Sequence, residues 1–370
     1  AEKECWVIKF DKDLTEIGES AFFECSNLTS IIFPNSLKSI GEYAFYYCEN
    51  LANPTLPNGL TTLKIEAFAE CYAFEEITIP ASVTELGSGV FAGCTSIKEF
   101  KGKYAADGGR CLIDGTKIVG FALGCGATTY TIPDGITVVG YAAFYMSSLT
   151  SVTIPDSVKE FEDYAFSSNK NLVSINIPAG VAAIPTGAFE YCKAIEDITL
   201  PDSITSIGEY AFYYCDGLES ITIPNNVTTI GESAFAYCTS LKEFKGKFAA
   251  DDGRCLIIDG VLNAFALGCG ATQYTIPDSV TTIGEWAFGW CKSLTSVTIP
   301  DSVTTIEMRA FYWCSSLETV YCKPTTPPTG GYQMFDLNAS DRKIYVPAGS
   351  VDAYKAKEYW SNYKDYIFAE

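Results

Sequence analysis

One 23-residue pattern runs through the chain and leaves few folds open to it. It is clearest at residues 218–240, LESITIPNNVTTIGESAFAYCTS, with apolar side chains at Leu218, Ile221, Ile223, Val227, Ile230, Ala234, Phe235 and Cys238. The Phe of the Ala-Phe pair keeps the register: Phe22, Phe45, Phe68 and Phe91, then Phe144, Phe166, Phe189, Phe212 and Phe235, then Phe288 and Phe311. A period of this size marks a solenoid, in which each unit buries its apolar face only against its neighbours. The two gaps in the rhythm are both 53 residues, and the stretches inside them, KEFKGKYAADGGRCLIDG and KEFKGKFAADDGRCLIIDG, recur at an offset of 144. A longer duplication is therefore superimposed on the short repeat.

Within a unit, Ser220-Ile221-Thr222-Ile223 alternates as a strand buried on one face does. Pro224 then ends it, because proline has no amide for the ladder. A turn follows, then Val-x-x-Ile-Gly, whose glycine is expected in a backbone conformation denied to other residues. The Glu-x-Ala-Phe-x-x-Cys stretch has the apolar spacing of a short helical turn and is placed opposite the strand. The expected fold is a repeat solenoid of α/β type, with one long parallel sheet of short strands and short helical or 3-10 turns across from it.

Residues 1–320 are read as the solenoid and 321–370 as a C-terminal cap, with KIYVP as a last strand and an aromatic helix-like tail. At the other end CWVIKF resembles a leading strand, Asp11 stands where later units have Pro, and Trp6 is a candidate plug for the open apolar stack. Residues 98–121 and 242–265 form two longer variant units. Apolar residues flank Asp114-Gly115 and Asp259-Gly260, which predicts a small two-stranded flap at the same edge of the solenoid in each.

The chain has 45 acidic against 25 basic residues, a net charge of −20 that repels phosphate backbones and anionic membranes. Nucleic acid is not an expected partner. No apolar run approaches the roughly 20 residues that span a bilayer. The chain begins at Ala1, so a secretory signal is expected to have been removed and the location to be extracellular or on the cell surface. Most of the 15 cysteines, such as Cys25, Cys48, Cys71 and Cys94, recur at the repeat period. Equivalent positions in stacked strands lie about 4.8 Å apart with parallel side-chain vectors, a poor geometry for disulfides, so a column of buried thiols is expected. Cys111 with Cys125 and Cys255 with Cys269 are matched pairs at 14 residues, open to a local bridge or, as duplication alone also produces, to packed reduced thiols.

The repeated LxxIxIPxxVxxIGxxAFxxC, the CLIDG stretch and the closing YVPAGSVDAYKAKEYW resemble the BspA-type leucine-rich repeat proteins of bacterial and protozoan cell surfaces. Met146 and Ser168-Asn169, in place of the usual residue-Cys, and a 22-residue step from Phe144 to Phe166 are local departures. The resemblance implies a curved right-handed solenoid, export, and adhesion to host matrix proteins or other cells. It implies neither a single ligand nor a catalytic motif.

The chain has no histidine, which removes Ser-His and Cys-His nucleophile pairs and His-ligated metals. Paired carboxylates could still hydrolyse a glycosidic bond. The acids, however, cluster at turn positions such as Asp156, Asp202, Asp278 and Asp301, where a short polar side chain satisfies the turn backbone. Calcium at Asp107-Gly108-Gly109 or Asp251-Asp252-Gly253 lacks any supporting ligand spacing. No enzyme activity, cofactor or metal is therefore expected.

Two columns are candidate binding surfaces. The first is a hydroxylated row on the sheet, two residues before each Pro: Thr78, Thr131, Thr153, Asn176, Thr199, Thr222, Thr275 and Thr298, which strand preference alone also explains. The second is Tyr191, Tyr214, Tyr237, Trp290 and Trp313, just before the repeat Cys, with Tyr46, Tyr213 and Tyr312 one residue earlier. Exposed, these rings form an adhesive stripe; turned inward, they are ordinary packing. The expected function is non-catalytic binding of a protein or glycan at a cell surface or matrix. A purely architectural surface protein is the alternative, with a carboxylate-based glycan hydrolase third. Asn27, Asn226 and Asn338 sit in glycosylation-type Asn-x-Ser/Thr triplets.

Overall fold

The computed structural model describes residues 14–370 and the backbone of 6–9; Cys5, Asp11 and the Trp6 side chain lie outside the described residues. The chain divides into two compact units, Ala1–Cys192 and Lys193–Glu370, and each is a stack of repeat coils.

In the first unit Trp6–Lys9 pairs in parallel with Leu28–Ile32, as the leading half-unit requires. Further on, Glu76–Ile79 pairs with Glu99–Gly102 in a register of one period, Ile77 opposite Phe100. Along Glu76–Ile79, Ile77 and Ile79 are buried and Glu76 and Thr78 exposed, the alternation the sequence carries. In the second unit Gln273–Thr275, Ser296–Ile299, Thr319–Cys322, Lys343–Val346 and Ile367–Ala369 pair successively in parallel.

A second parallel ladder accompanies this one. The two residues ending at the repeat Ile pair from coil to coil, as Ser39–Ile40 with Thr62–Leu63 and Thr282–Ile283 with Thr305–Ile306. Most coils thus contribute two strands rather than one. The Ala-Phe stretch opposite is a pair of tight turns instead of a helical turn. Tyr43 and Tyr47 are left-handed there, at φ +54° and +60°, and a right-handed helix cannot pass through either. Such a conformation costs a non-glycine residue about 1 kcal/mol or more. Hydrogen bonds to the next coil offset it: Tyr43 N donates to Ile65 O at 3.0 Å and Tyr47 N to Ala69 O at 2.9 Å.

The glycine after the repeat Ile has a different role from the one its sequence position suggests. Its φ is not left-handed; a Cβ on Gly41 would instead sit 2.7 Å from the backbone of Gly18 and Glu19, and one on Gly231 2.4 Å from Glu209 N. Close approach between coils, not torsional freedom, needs glycine there.

The core is a stack of phenylalanines. Phe22, Phe45 and Phe68 lie with ring centroids 5.0 Å apart and planes within 6°. Phe288, Phe311 and Phe335 continue the same arrangement in the second unit at 4.7 and 5.2 Å. Beside the stack the cysteine thiols donate to the carbonyl of the phenylalanine one coil back: Cys48 to Phe22 at 3.1 Å, Cys192 to Phe166 at 3.1 Å, Cys238 to Phe212 at 3.1 Å and Cys314 to Phe288 at 3.0 Å. Where Asn169 replaces Cys, its amide nitrogen reaches Phe144 O at 3.0 Å and keeps that link. The described cysteines are free thiols, Cys111, Cys125, Cys255 and Cys269 included. Cys111 and Cys255 meet the hydroxyls of Tyr130 and Tyr274 at 3.4 and 3.1 Å.

The hairpins form where expected, Cys111–Asp114 against Lys117–Phe121 and Cys255–Ile258 against Val261–Phe265. They are not surface flaps. Lys117–Phe121 also pairs in parallel with Val138–Val139, and Val261–Phe265 with Thr282–Ile283, so each outer strand is a rung of the second ladder. Buried Leu112 and Ile118, with Leu256 and Leu262 in the other copy, anchor them to the core. At the end of the chain, the helix Val351–Ala356 and the 3-10 segment Trp360–Tyr366 bury Tyr354, Trp360 and Tyr363; Trp360 and Tyr363 pack on Phe335 at 5.9 and 5.7 Å, and Tyr354 meets Trp360 edge-on at 4.8 Å.

Candidate functional site

The aromatic column sits on the left-handed turn residue before Cys: φ is +58° at Tyr214, +63° at Tyr237, +68° at Trp290 and +57° at Trp313. This conformation turns the side chain away from the coil interior, which Phe and Cys fill, and lays it along the turn face. Rings one coil apart then stack. Tyr214 lies on Tyr237 at 4.3 Å and 10°, Tyr237 meets Trp290 at 5.5 Å, and Trp290 lies on Trp313 at 4.6 Å and 24°. Tyr237 is 5% exposed, Tyr214 and Trp290 are half-buried, and Trp313 is 38% exposed.

The ladder is broader than its sequence column. Trp286, two residues before Phe288, packs 5.1 Å from Tyr237 and edge-on to Tyr312 at 5.3 Å. Tyr213 stands 5.1 Å from Tyr237. Cations cover parts of it: Lys193 is 5.0 Å from the Tyr214 ring, Lys292 4.8 Å from Trp290 and Arg309 5.1 Å from Trp286. Trp286 went unnoticed in the column before Cys, although Tyr43, Tyr164, Tyr210 and Trp286 share a period-spaced position of their own. Tyr191 belongs to the first unit, where it lines a cavity with Tyr46, Tyr164 and Glu190.

The threonine row is less uniform. Thr199, Thr222 and Thr275 are exposed, Thr298 is half-buried, and Thr275 pairs directly with Thr298. Lys245 follows Thr222 and Lys101 follows Thr78, each paired with nearby glutamates such as Glu243 at 2.7 Å and Glu99 at 2.9 Å. Asn176 is committed to the backbone, accepting from Ile154 N and donating to Ile154 O, both at 2.8 Å. Beyond Thr298 the row turns aromatic, with Tyr321 and Tyr345 stacked at 5.5 Å.

Asp156, Asp202, Asp278 and Asp301 are exposed turn residues. No group of His, Cys, Asp or Glu suited to a metal ion occurs among the described residues, and no described helix is long and apolar enough to cross a membrane. Asn338 is buried, and its Oδ1 accepts from Cys314 N at 3.1 Å, which leaves it closed to modification in the folded chain.

Parallel coils of fixed period around a phenylalanine core define a leucine-rich repeat protein. The BspA-type leucine-rich repeat profile matches residues 2–105, 120–242 and 262–354 in six copies, and the chain belongs to that family. Among solved structures it is similar to a leucine-rich cell surface protein from Faecalibacterium prausnitzii, with 28% identity and a TM-score of 0.57 over 63% of this chain and 69% of that one. It is also similar to a leucine-rich repeat protein from Bacteroides ovatus, with 27% identity and a TM-score of 0.44 over 98% of this chain and 83% of that one. None of the curated proteins matches it in sequence.

Proposed function

We propose that this chain is a non-catalytic binding protein of the cell surface, which engages an extracellular protein or glycan through the ladder of Tyr214, Tyr237, Trp290 and Trp313. The observation that carries this reading is a run of stacked rings reaching the surface at Trp313. Rigid amphipathic rings supply contact area at small entropic cost, and they suit both sugar faces and protein side chains. The family and the Faecalibacterium surface protein support the location. The architectural alternative has an observation in its favour as well, since Tyr237 is buried and the rings pack on one another.

The purified chain is to be tested on immobilised matrix proteins and glycans beside a Tyr214→Ser, Trp313→Ser variant, which alters the more accessible rings and spares buried Tyr237. Saturable binding weakened at least about tenfold, with circular dichroism unchanged, is the expected result. A folded variant that binds like the parent, or a parent that binds nothing on the array, moves the ladder to an architectural role.

A further inference from the structure

The variant units leave a notch on the turn face, and the two copies of the duplication have treated it in opposite ways. Ordinary coils are joined there by turn-to-turn hydrogen bonds, such as Phe68 N to Val90 O and Glu70 N to Ala92 O. Such bonds resume beyond the first variant unit, at Ala142 N to Asp163 O and Phe144 N to Ala165 O. Between these sets the 98–121 coil runs straight from its hairpin strand through Phe121 and Ala122 without a projecting turn. The flanking turns therefore face one another, touching where Tyr141 meets Glu66 and leaving a cavity beside that contact.

In the second unit rings occupy the corresponding place. Tyr237 packs on Trp286 at 5.1 Å and on Trp290 at 5.5 Å, and Ser233 is buried. The residues 144 positions earlier are Gly93, Ala142, Met146 and Gly89; the Glu70 carboxylate lies against Gly93 and the Tyr141 ring against Gly89, and a cavity of about 270 Å³ borders Ala142. The two copies differ in side chains and not in backbone: φ is +50° at Ala142 and +58° at Trp286, +70° at Gly93 and +63° at Tyr237.

Tyrosine and glutamate dominate the cavity wall, beside small alanines and serines. Tyr46, Tyr141, Tyr145, Tyr164 and Tyr191 line it together with Glu66, Glu70 and Glu190, and no lysine or arginine does. The Tyr141 hydroxyl donates to Glu66 Oε1 at 2.8 Å and that of Tyr72 to Glu70 Oε2 at 2.5 Å. Tyr141 and Tyr164 meet edge to face at 5.9 Å, a corner of rings. Burial pushes all three carboxyls above the ordinary carboxylate range. No hydrogen bond or cation reaches the Glu190 carboxylate among the described residues. Carboxylates with desolvated charge and tyrosine faces with negative quadrupoles attract the same kind of group.

We propose that this tyrosine- and glutamate-walled notch in residues 1–192 is a receptor site for an organic ammonium group, the head of a small alkylamine or of a lysine side chain. Its volume suits a ligand of that size, below the usual range for drug-sized pockets. The site is independent of the aromatic ladder and stands or falls separately from it.

The test is calorimetric titration of the whole chain with n-butylammonium chloride, with n-butanol as the neutral control and Nα-acetyl-lysine N-methylamide as the peptide-borne source. Ala142→Trp installs the ring that the second copy carries on the same backbone conformation, so folding is preserved while the cavity is filled. Glu190→Gln keeps the shape and removes the unpaired charge. The expected result is saturable binding of butylammonium, no binding of butanol, loss of binding in Ala142→Trp and roughly tenfold weakening in Glu190→Gln, the size of a charge-assisted contact. Tighter binding of the lysine amide would assign the site to a protein-borne lysine, and tighter binding of butylammonium to a free amine. Butanol binding as well as butylammonium, no binding of either amine, or affinity unchanged in both variants would overturn the proposal.

Discussion

At the residue scale, the repeat cysteine is a small buried hydrogen-bond donor. Its thiol ties one coil to the carbonyl of the coil before it, and Asn169 does the same work at a position where cysteine is missing. Burial pushes the thiols of Cys48 and Cys192 up to about 12 and those of Cys255 and Cys291 to about 11. Thiolate is the reactive form, so these cysteines are doubly protected, by inaccessibility and by protonation. Among the described cysteines, Cys25, Cys125 and Cys269 are partly exposed. Iodoacetamide applied to the native chain at mildly alkaline pH is expected to modify those three first, with the other eleven described cysteines reacting only after denaturation. Peptide mapping that finds Cys192 or Cys238 alkylated as early as Cys125 would contradict the packing described here. The column itself was legible in the period, because a repeated buried position needs only a repeated residue. Its hydrogen bond was not, since the acceptor is a backbone carbonyl 26 residues away.

At the scale of the element, the strand before Pro was legible from its alternation, and the second ladder was not. Two-residue strands such as Thr62–Leu63 carry too little pattern to show a period of two. The hairpins were legible from Asp-Gly, yet their outer strands proved to be ladder rungs, a pairing made only by the neighbouring coil. The first strand of each variant unit ends on a glycine that the ladder demands. Gly246 has φ +78°, and a Cβ there would lie 2.2 Å from Ile223 O in the paired strand. Gly246→Ala is therefore expected to destabilise the chain by about 2 kcal/mol or more, through strain and a displaced rung. Gly270→Ala is the control, since it shares a positive φ of 71° but meets nothing within 4 Å. Equal losses for the two in denaturant unfolding would rule out the close approach as the cause.

For the whole molecule, the excess of acid is the property with the widest consequence. Glu66, Glu70 and Glu190, and Glu285 in the other unit, have carboxyls held above the ordinary 4.5 mainly by burial. An acid with a raised folded-state pKa binds its proton more readily folded than unfolded. It therefore lowers stability while charged, and the loss is relieved as pH falls through the raised value towards 4.5. The net charge of −20 acts in the same direction, through self-repulsion. Opposing it are exposed pairs such as Lys98 with Glu75 at 2.7 Å, each worth little. The Tm is expected to rise from pH 7 to about pH 5. The rise should be smaller in a Glu66→Gln, Glu70→Gln, Glu190→Gln variant. A flat or falling Tm across that window, or an equal rise in the variant, would show that burial of these carboxyls is not what governs it.

The sequence by itself determined the period, the coil, the phenylalanine and cysteine columns and the place of both variant units, because in a solenoid every coil meets a copy of itself and repetition alone sets the contacts. Only the tertiary structure decided which way the turn residues point. Tyr237 and Tyr191 occupy the same position in the repeat; one is buried in a stack of rings and the other lines a cavity. The difference arises because each turn is left-handed and faces whatever the adjoining coil presents. Beside a variant unit that neighbour is a notch, closed by rings in one copy and holding a cavity in the other, according to side chains far apart in the chain.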